Sequence, residues 1–449
     1  MRPPRTPPSL HDLLARTDID GLAQLLRVGA LVDGRYLHWD ELHHRSPPDG
    51  LDHATWWLGI TLARSALKKE LPLLGKSDRP LTFATPDPVQ RALLAIDRTA
   101  AGTVTMADPA VAADDRDRYL VSSLIEEAIT SSQLEGAATT RAEAKVLLRS
   151  GRLPRDRSER MIVNNYRAME HIRDLDTLEL IPETVLQLHR IVTDGTLDDP
   201  SAAGRLRRAD EAVTVDDYEG NLLHDPPPAT SLPERLERLC AFANRTDDVE
   251  PFVHPVLKAI LLHFMLAYDH PFVDGNGRTA RALFYWSLVG NGYWLLEYVS
   301  ISRLLNQAPV KYARAFLLTE SDDLDTTYFI LHQLDVIERA IADLHAYLAR
   351  KGAEQRSAER LLHLAPGLAD RLNHRQVALL GHALRHPGFG YTVASHRRSH
   401  RVTHQTARTD LLKLAAAGLL EQRKRGRAFL FRAPDDLRQR IEVTAGNSS

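Results

Sequence analysis

The string His270-Pro-Phe-Val-Asp-Gly-Asn-Gly-Arg-Thr-Ala-Arg281 joins two apolar stretches of the chain. Ahead of it, Pro255 stands where a helix can begin, and Val256, Ile260, Leu261 and Phe264 follow at three-to-four spacing towards Ala267. Behind it, a second apolar helix is expected over Arg278 to Leu288. The string is therefore the joint of a helix-loop-helix, with His270 just beyond the end of a buried helix.

The composition of that joint points to an anion. Gly275-Asn276-Gly277 directly before a helix lets backbone amides approach a negative group closely, and the helix start adds the positive end of its dipole. Arg278 and Arg281 lie three apart at the same end, where cations oppose the dipole by up to about a kcal/mol if nothing compensates them. A nucleotide polyphosphate would compensate them. Asp274 offers a hard oxygen for a divalent cation such as Mg²⁺ between phosphates. His270 is the group in the loop that can take a proton near neutral pH.

Outward from the joint, helix periodicity dominates. It is expected over Leu13 to Val28, Leu120 to Leu134, Ala142 to Leu148, Met161 to Leu175, Pro182 to Asp194, Leu232 to Asn244 and Thr326 to Leu348. Val213-Thr214-Val215, with Glu219-Gly220-Asn221 beyond it, reads as one short hairpin. The fold class is mostly α. The expected organisation is a helical region of unassigned role over 1–115, a central helical domain over 116–350, a linker over 351–372 and a last module over 373–435.

The chain has 449 residues with 57 Lys and Arg against 59 Asp and Glu, a formal charge of −2 that by itself favours no partner. The near-neutrality is a cancellation. Between Arg371 and Arg432 there are 13 cationic residues against Asp410 and Glu421 alone, a surplus of 11, while the rest carries 44 cations against 57 anions. In that stretch, helices are expected over Arg375 to His386, Thr392 to Ser399 and Thr403 to Ala416, followed by a basic hairpin at Arg423-Lys-Arg-Gly-Arg-Ala-Phe-Leu-Phe431. This is the order of a winged helix-turn-helix, so DNA is an expected partner. Thr403, His404, Gln405 and Arg408 on the third helix, with Arg423, Lys424, Arg425 and Arg427 on the hairpin, are the candidate contacts. His396, His400 and His404 recur at metal-site spacing, but a turn breaks their register and no carboxylate or thiol stands nearby, so they read as polar residues of a basic face.

Cys240 is the sole cysteine, which excludes an intrachain disulfide and a thiolate metal cluster. The start, Met1-Arg-Pro-Pro-Arg, has no apolar stretch behind it, and the run from Val256 to Tyr268 is too short and too polar at Lys258 and His263 to span a bilayer. A soluble cytoplasmic protein without membrane contact is expected.

Residues 270–281 resemble the signature of the Fic (filamentation induced by cAMP) family, His-Pro-Phe-x-Asp/Glu-Gly-Asn-Gly-Arg-x-x-Arg, at every defined position. The resemblance implies an all-helical domain with a hairpin flap. It also implies a protein adenylyltransferase, which moves AMP from ATP to a Ser, Thr or Tyr hydroxyl of a target protein or of itself. In that reading His270 deprotonates the hydroxyl, Phe272 anchors the loop and Asp274 coordinates Mg²⁺. Gly275, Asn276 and Gly277 form the anion hole, and Arg278 and Arg281 hold the β and γ phosphates. The family's Doc branch transfers phosphate instead, and Gly277 favours AMP transfer.

Upstream, Ser131-Ser-Gln-Leu-Glu135-Gly136 resembles the family's Ser/Thr-x-x-x-Glu-Gly/Asn inhibitory motif, which implies that Glu135 pairs with Arg281 and occupies the γ-phosphate position. Physically, Glu135 at a helix end and Arg281 at a helix start both oppose their own dipoles, so both need an external partner. Gly204 to Val215 resembles the lead into the flap, which holds targets by strand addition. The likeness covers about residues 118 to 345, and Tyr36 to Arg64 resembles the N-terminal part of some bacterial members. Three functions stay open at this point: an autoinhibited AMP transferase with a DNA-binding module, a nucleotide-responsive transcription regulator, and a hydrolase removing AMP with the same loop. A homodimer is also open.

Overall fold

The computed structural model describes residues 2–15, 25, 27–100, 113–173, 175, 179–217, 219–363, 372–386, 388–400, 402–425 and 428–446. These fall into two compact units, the first reaching to Leu344 and the second beginning at His345.

At the centre of the first unit, Pro255–Asp269 and Asn276–Gly290 pack closely against each other. Both are buried nearly all round, as helices surrounded by others are. Pro255 occupies the first turn, where its missing N–H is not needed, and His254 Nδ1 accepts from the Val256 amide. Ala113–Leu134, Arg157–Arg173, Pro182–Thr193 and Leu232–Ala243 pack around this pair. Among the described residues no helix is long and apolar enough to cross a membrane.

The boundary expected near residue 115 falls inside this unit. The N-terminal region contains the helices His53–Ser65 and Asp87–Ala100 and also an antiparallel hairpin, Lys69–Leu74 with Pro80–Phe83. The hairpin's alternating Leu71, Leu73, Leu81 and Phe83 are buried. Buried polar contacts tie the region to the rest of the unit. Tyr36 Oη donates to Asp325 at 2.6 Å and Lys68 pairs with the same carboxylate at 3.0 Å. Arg64, under the Tyr36 ring at 3.6 Å, donates to Tyr328 Oη at 2.9 Å. Thr82 exchanges backbone hydrogen bonds with Leu324 and Thr326. The loop side of the hairpin is held by Arg235, which donates to the carbonyls of Leu74 and Gly75 and to Asp269 at 2.7 Å. Of the helix expected over Leu13 to Val28, Leu10–Leu14 is helical, and 16–24 and 26 lie outside the described residues.

The linker expected over 351–372 is helical through its first half, because Thr327–His363 is one helix. Ala, Glu, Gln, Arg and Leu there are strong helix formers, and the single Gly352 subtracts only about 1 kcal/mol. Residues 364–371 lie outside the described set.

The second unit has helices His374–Arg385, Val393–His400 and His404–Ala416 and a three-stranded sheet in the order Gly390–Tyr391, Ala428–Arg432, Glu421–Arg425. It extends past the expected limit of 435. Helix Leu437–Gly446 adds Leu437 and Ile441 to a core with Leu380, Leu411, Leu414 and Phe431.

Arg235 and Asp269 are both nearly fully buried. Removing one member leaves the other's charge uncompensated, so Arg235→Ala should lower stability by about 3–5 kcal/mol in denaturant unfolding.

Candidate active site

The 270–281 loop leaves one central helix and opens the other. His270 ends Pro255–Asp269 in the left-handed conformation at φ 46°, and Gly275 at φ 85° precedes Asn276–Gly290. At Gly275 a Cβ would lie 2.7 Å from Thr193 Cγ2, so conformation and space both require glycine.

The loop is braced by side chains that act as substitute backbone. Asn276 accepts from the Phe272 amide at 2.9 Å and donates to the Phe272 carbonyl at 2.8 Å. Its amide is thus spent inside the loop, leaving its backbone N–H for an anion. Phe272 is fully buried and stacks on His189 with ring centroids 3.7 Å apart. His189 Nδ1 accepts from the Gly204 amide at 3.0 Å, so Nε2 carries the proton and donates to the Asp274 carbonyl at 2.9 Å. Burial pushes His189 down to about 4, which keeps it neutral in this role. Arg207 donates to the His270 carbonyl at 2.9 Å and to the Pro227 carbonyl.

His270 Nδ1 lies 3.2 Å from the Ala267 carbonyl, which can only accept. The proton therefore sits on Nδ1 and Nε2 presents a lone pair. Burial lowers its pKa, partly countered by that hydrogen bond and by Glu135, so the neutral form is favoured near pH 7.

His270, Gly277, Arg281 and Glu135 line one cavity of about 210 Å³, together with Val215, Leu223, His224, Tyr268, Tyr312 and Phe316. Arg281 is 2% exposed. Its Nε donates to Ser131 Oγ at 2.8 Å and one terminal nitrogen donates to the Ser131 carbonyl at 3.0 Å and to Glu135 Oε1 at 2.9 Å. Gly136, at φ 89°, turns the chain just after Glu135. A Cβ at Gly277 would overlap Glu135 Oε1, so the carboxylate rests on the start of the helix that carries Arg281.

Arg278 is placed differently from its neighbour. It is fully buried, donates to the Val192 carbonyl at 2.7 Å and sits 3.4 Å from Asp274. Its Nε, among the described residues, has no hydrogen-bond partner. Asp274 is part exposed and also pairs with Arg157 at 3.2 Å.

The flap is shorter than expected. Only Val215–Asp216 pairs with Leu222–His224, and Val213 and Thr214 precede the ladder. The Asp217 carboxylate caps the turn by accepting from the amides of Glu219 and Asn221, and past the two pairs the second strand runs into Pro226-Pro227-Pro228, which have no N–H to extend the ladder. His224 then fastens the second strand, with Glu320 at 2.7 Å and the Tyr268 carbonyl at 2.7 Å.

In the second unit, Thr403 caps His404–Ala416 by accepting from the Thr406 amide, and His404, Gln405 and Arg408 are exposed on that helix. Arg423 and Lys424 are exposed on the strand Glu421–Arg425. Arg427, and the side chain of Arg425, lie outside the described residues. The reading of the histidines needs correction, because a carboxylate does lie beside them. His396 is buried with Nε2 3.2 Å from Asp410, which also pairs with Arg375 at 2.8 Å. Six residues beyond His404 in sequence, Asp410 is folded inward by about one and two-thirds helical turns. Among the described residues no group of three His, Cys, Asp or Glu could hold a metal.

Together these features define a helical domain built around a glycine-rich helix-loop-helix. Residues 179–288 match the model of the Fic/DOC family, and this chain carries a Fic/DOC family domain. Over 128 residues, 28% of this chain, it is 34% identical to a protein adenylyltransferase Fic of Drosophila willistoni and 35% identical to that of Drosophila virilis. It spans only 23% and 24% of those relatives' lengths. A Fic family protein from Desulfovibrio desulfuricans G20 superposes with a TM-score of 0.52 at 19% identity, covering 78% of this chain and 96% of that one, so the fold is shared.

His189, Arg207 and Arg157 escaped the sequence reading. His189 did leave a trace, since it sits among Val185, Leu188 and Val192 on the buried side of its helix. Arg207 and Arg157 reach the loop from distant segments and left none. If Asn276 braces the loop, Asn276→Ala leaves the buried Phe272 amide and carbonyl unpaired. Unfolding should then show a loss of about 1–3 kcal/mol.

Proposed function

We propose that the protein transfers AMP from ATP to a hydroxyl of a protein target and that Glu135 holds this activity down. The observation that carries the proposal is the meeting, in one cavity, of a neutral His270 with an outward lone pair and of Arg281 paired to Glu135.

The chemistry follows from the groups present. The target hydroxyl oxygen attacks the α-phosphorus, its proton passes to His270 Nε2, and the bond to the β-phosphate bridging oxygen breaks to release pyrophosphate. The amides at Asn276 and Gly277 stabilise charge developing on phosphate oxygens, a contribution that is large in a preorganised site, while the Gly275 amide already donates to Asp274 Oδ1. Arg281 binds the terminal phosphate once Glu135 withdraws. Arg278, already engaged by Val192 and Asp274, contributes field and loop rigidity, with only part of its donor set left for phosphate. The donor set suits Mg²⁺, since Asp274 is a single, part-exposed carboxylate beside the loop and Mg²⁺ is commonly held by one carboxylate plus substrate phosphates. Bound there, it would neutralise phosphate charge. The outer edges of the two-stranded hairpin beside the cavity suit an extended target segment.

Glu135 and a terminal phosphate are both anions competing for one guanidinium. With the carboxylate in place, ATP binds without its γ-phosphate on Arg281, and the α-phosphorus is not aligned with the hydroxyl. Removal of AMP, the alternative chemistry, would use the same His270 and Glu135 with water as the nucleophile.

A second reading concerns the second unit. We infer that it binds duplex DNA as a winged helix-turn-helix. Asp410, one of the two acids in its basic stretch, is buried and neutralised by Arg375, which leaves His404, Gln405 and Arg408 as a face without exposed acid on the His404–Ala416 helix. Arg408→Ala should weaken duplex binding and reduce the salt slope of log K by about 1, measured across a salt titration.

For the transferase, label from α-labelled ATP should rise about tenfold or more in Glu135→Gly and fall by about 10²–10⁴ in a further His270→Ala. Label from γ-labelled ATP would instead identify a kinase. Because burial lowers the His270 pKa, the Glu135→Gly rate should rise with pH and level off from a midpoint below the ordinary imidazole value of about 6.5. A midpoint above that value would remove His270 as the base.

A further inference from the structure

Glu127 lies two turns before Glu135 on the Ala113–Leu134 helix and is 2% exposed. It lies outside both the 131–136 and the 270–281 stretches, yet it is a carboxylate with four donors beside the site. Tyr285 Oη donates to it at 3.0 Å, Ser300 Oγ at 2.8 Å and the Ser302 amide at 3.1 Å, and Ser302 Oγ donates as well. These donors come from two separate segments, the Asn276–Gly290 helix and the start of Ile301–Gln307.

The contacts form an antiparallel ladder with a four-residue step. Residues 127, 131 and 135 ascend one side while 285, 281 and 277 descend the other. Tyr285 meets Glu127, Arg281 meets Ser131, and Glu135 reaches back to Arg281 across the space left by Gly277. A four-residue step keeps successive side chains on one helix face. We propose that Glu127 is a positioning residue that fixes the register of this helix, so that Glu135 arrives at Arg281. The proposal rests on the inhibited-transferase reading above.

The physical reason is directional. An apolar side chain at 127 would pack against the neighbouring helix in several offsets, whereas a buried carboxylate tolerates only the offset at which its donors are present. Sliding the helix by one turn moves Glu127 about 6 Å from Tyr285, Ser300 and Ser302. Thr130 Oγ1, 3.2 Å from Ser300 Oγ, sits beside the same anchor. Releasing Glu135 while the anchor holds requires only that the short end beyond Ser131 unwind. Loosening the anchor frees the whole segment.

The test uses the full chain and four proteins: wild type, Glu127→Gln, Glu135→Gly and the double variant. Gln keeps the shape but turns an amide N–H₂ towards groups that are themselves donors. Transfer from α-labelled ATP should rise about tenfold in Glu127→Gln. It should be the same in the double variant as in Glu135→Gly alone, because both changes act through one contact. Amide hydrogen exchange over residues 128–137 should quicken in Glu127→Gln. Transfer that is unchanged or lower in Glu127→Gln while Glu135→Gly rises overturns the proposal and leaves the inhibitory reading standing. Effects that multiply in the double variant also overturn it. If Glu135→Gly itself gives no rise, the inhibitory reading fails, and the exchange measurement alone decides whether Glu127 is the anchor.

Discussion

A guanidinium enclosed among packed helices must have its charge and donors answered, and at Arg281 an anion, Glu135, does so. At 2% exposure Arg281 has no water shell, so its charge is stabilised by Ser131 and Glu135. Burial works against the charge and Glu135 outweighs it, leaving the arginine's pKa raised. In the proposed reaction the same requirement selects the ligand. Whatever displaces Glu135 has to supply negative charge in the same place, and a polyphosphate end does so.

Most of the remaining construction holds the loop beside that arginine still. Asn276 closes the loop on Phe272, His189 supports both Phe272 and the Asp274 carbonyl, and Arg207 holds the His270 carbonyl. Preorganised dipoles stabilise a transition state only if they do not have to move, so rigidity here is part of the chemistry. Further out, Asp269, next to His270, is held by Arg235, which also grips the N-terminal hairpin. The aromatic and charged cluster of Tyr36, Arg64, Lys68, Asp322, Asp325 and Tyr328 closes the other side of the same unit. The N-terminal region is therefore scaffold to the site.

The helices around the loop were legible because their apolar periodicity is strong and their starts carry Pro or a capping residue, as at Pro182 and Pro255. Errors fell where the local pattern was weak. The 69–83 hairpin has alternating Leu71, Leu73, Leu81 and Phe83, but each strand is short and a helix flanks it, so periodicity alone gave little contrast. The polar stretch after Arg350 looked like a connection because it lacks an apolar face, yet its residues favour helix. Val213 and Thr214 are good strand formers outside the ladder, since the positions opposite them fall at Asp225 and the prolines that follow it, which cannot continue the pairing.

Residue chemistry near in sequence was decided by the sequence itself: a proton acceptor, an amide-rich helix start and paired arginines within twelve residues, and a basic last module within a neutral chain. Those properties depend on atoms a few bonds or one helical turn apart. The tertiary structure alone decided which charges are already answered. Arg278 is occupied by Val192 and Asp274, His396 by Asp410, and Glu127 by Tyr285, Ser300 and Ser302. Partners separated by many residues are brought together only by packing, and the energy of a charge depends on the burial that packing creates.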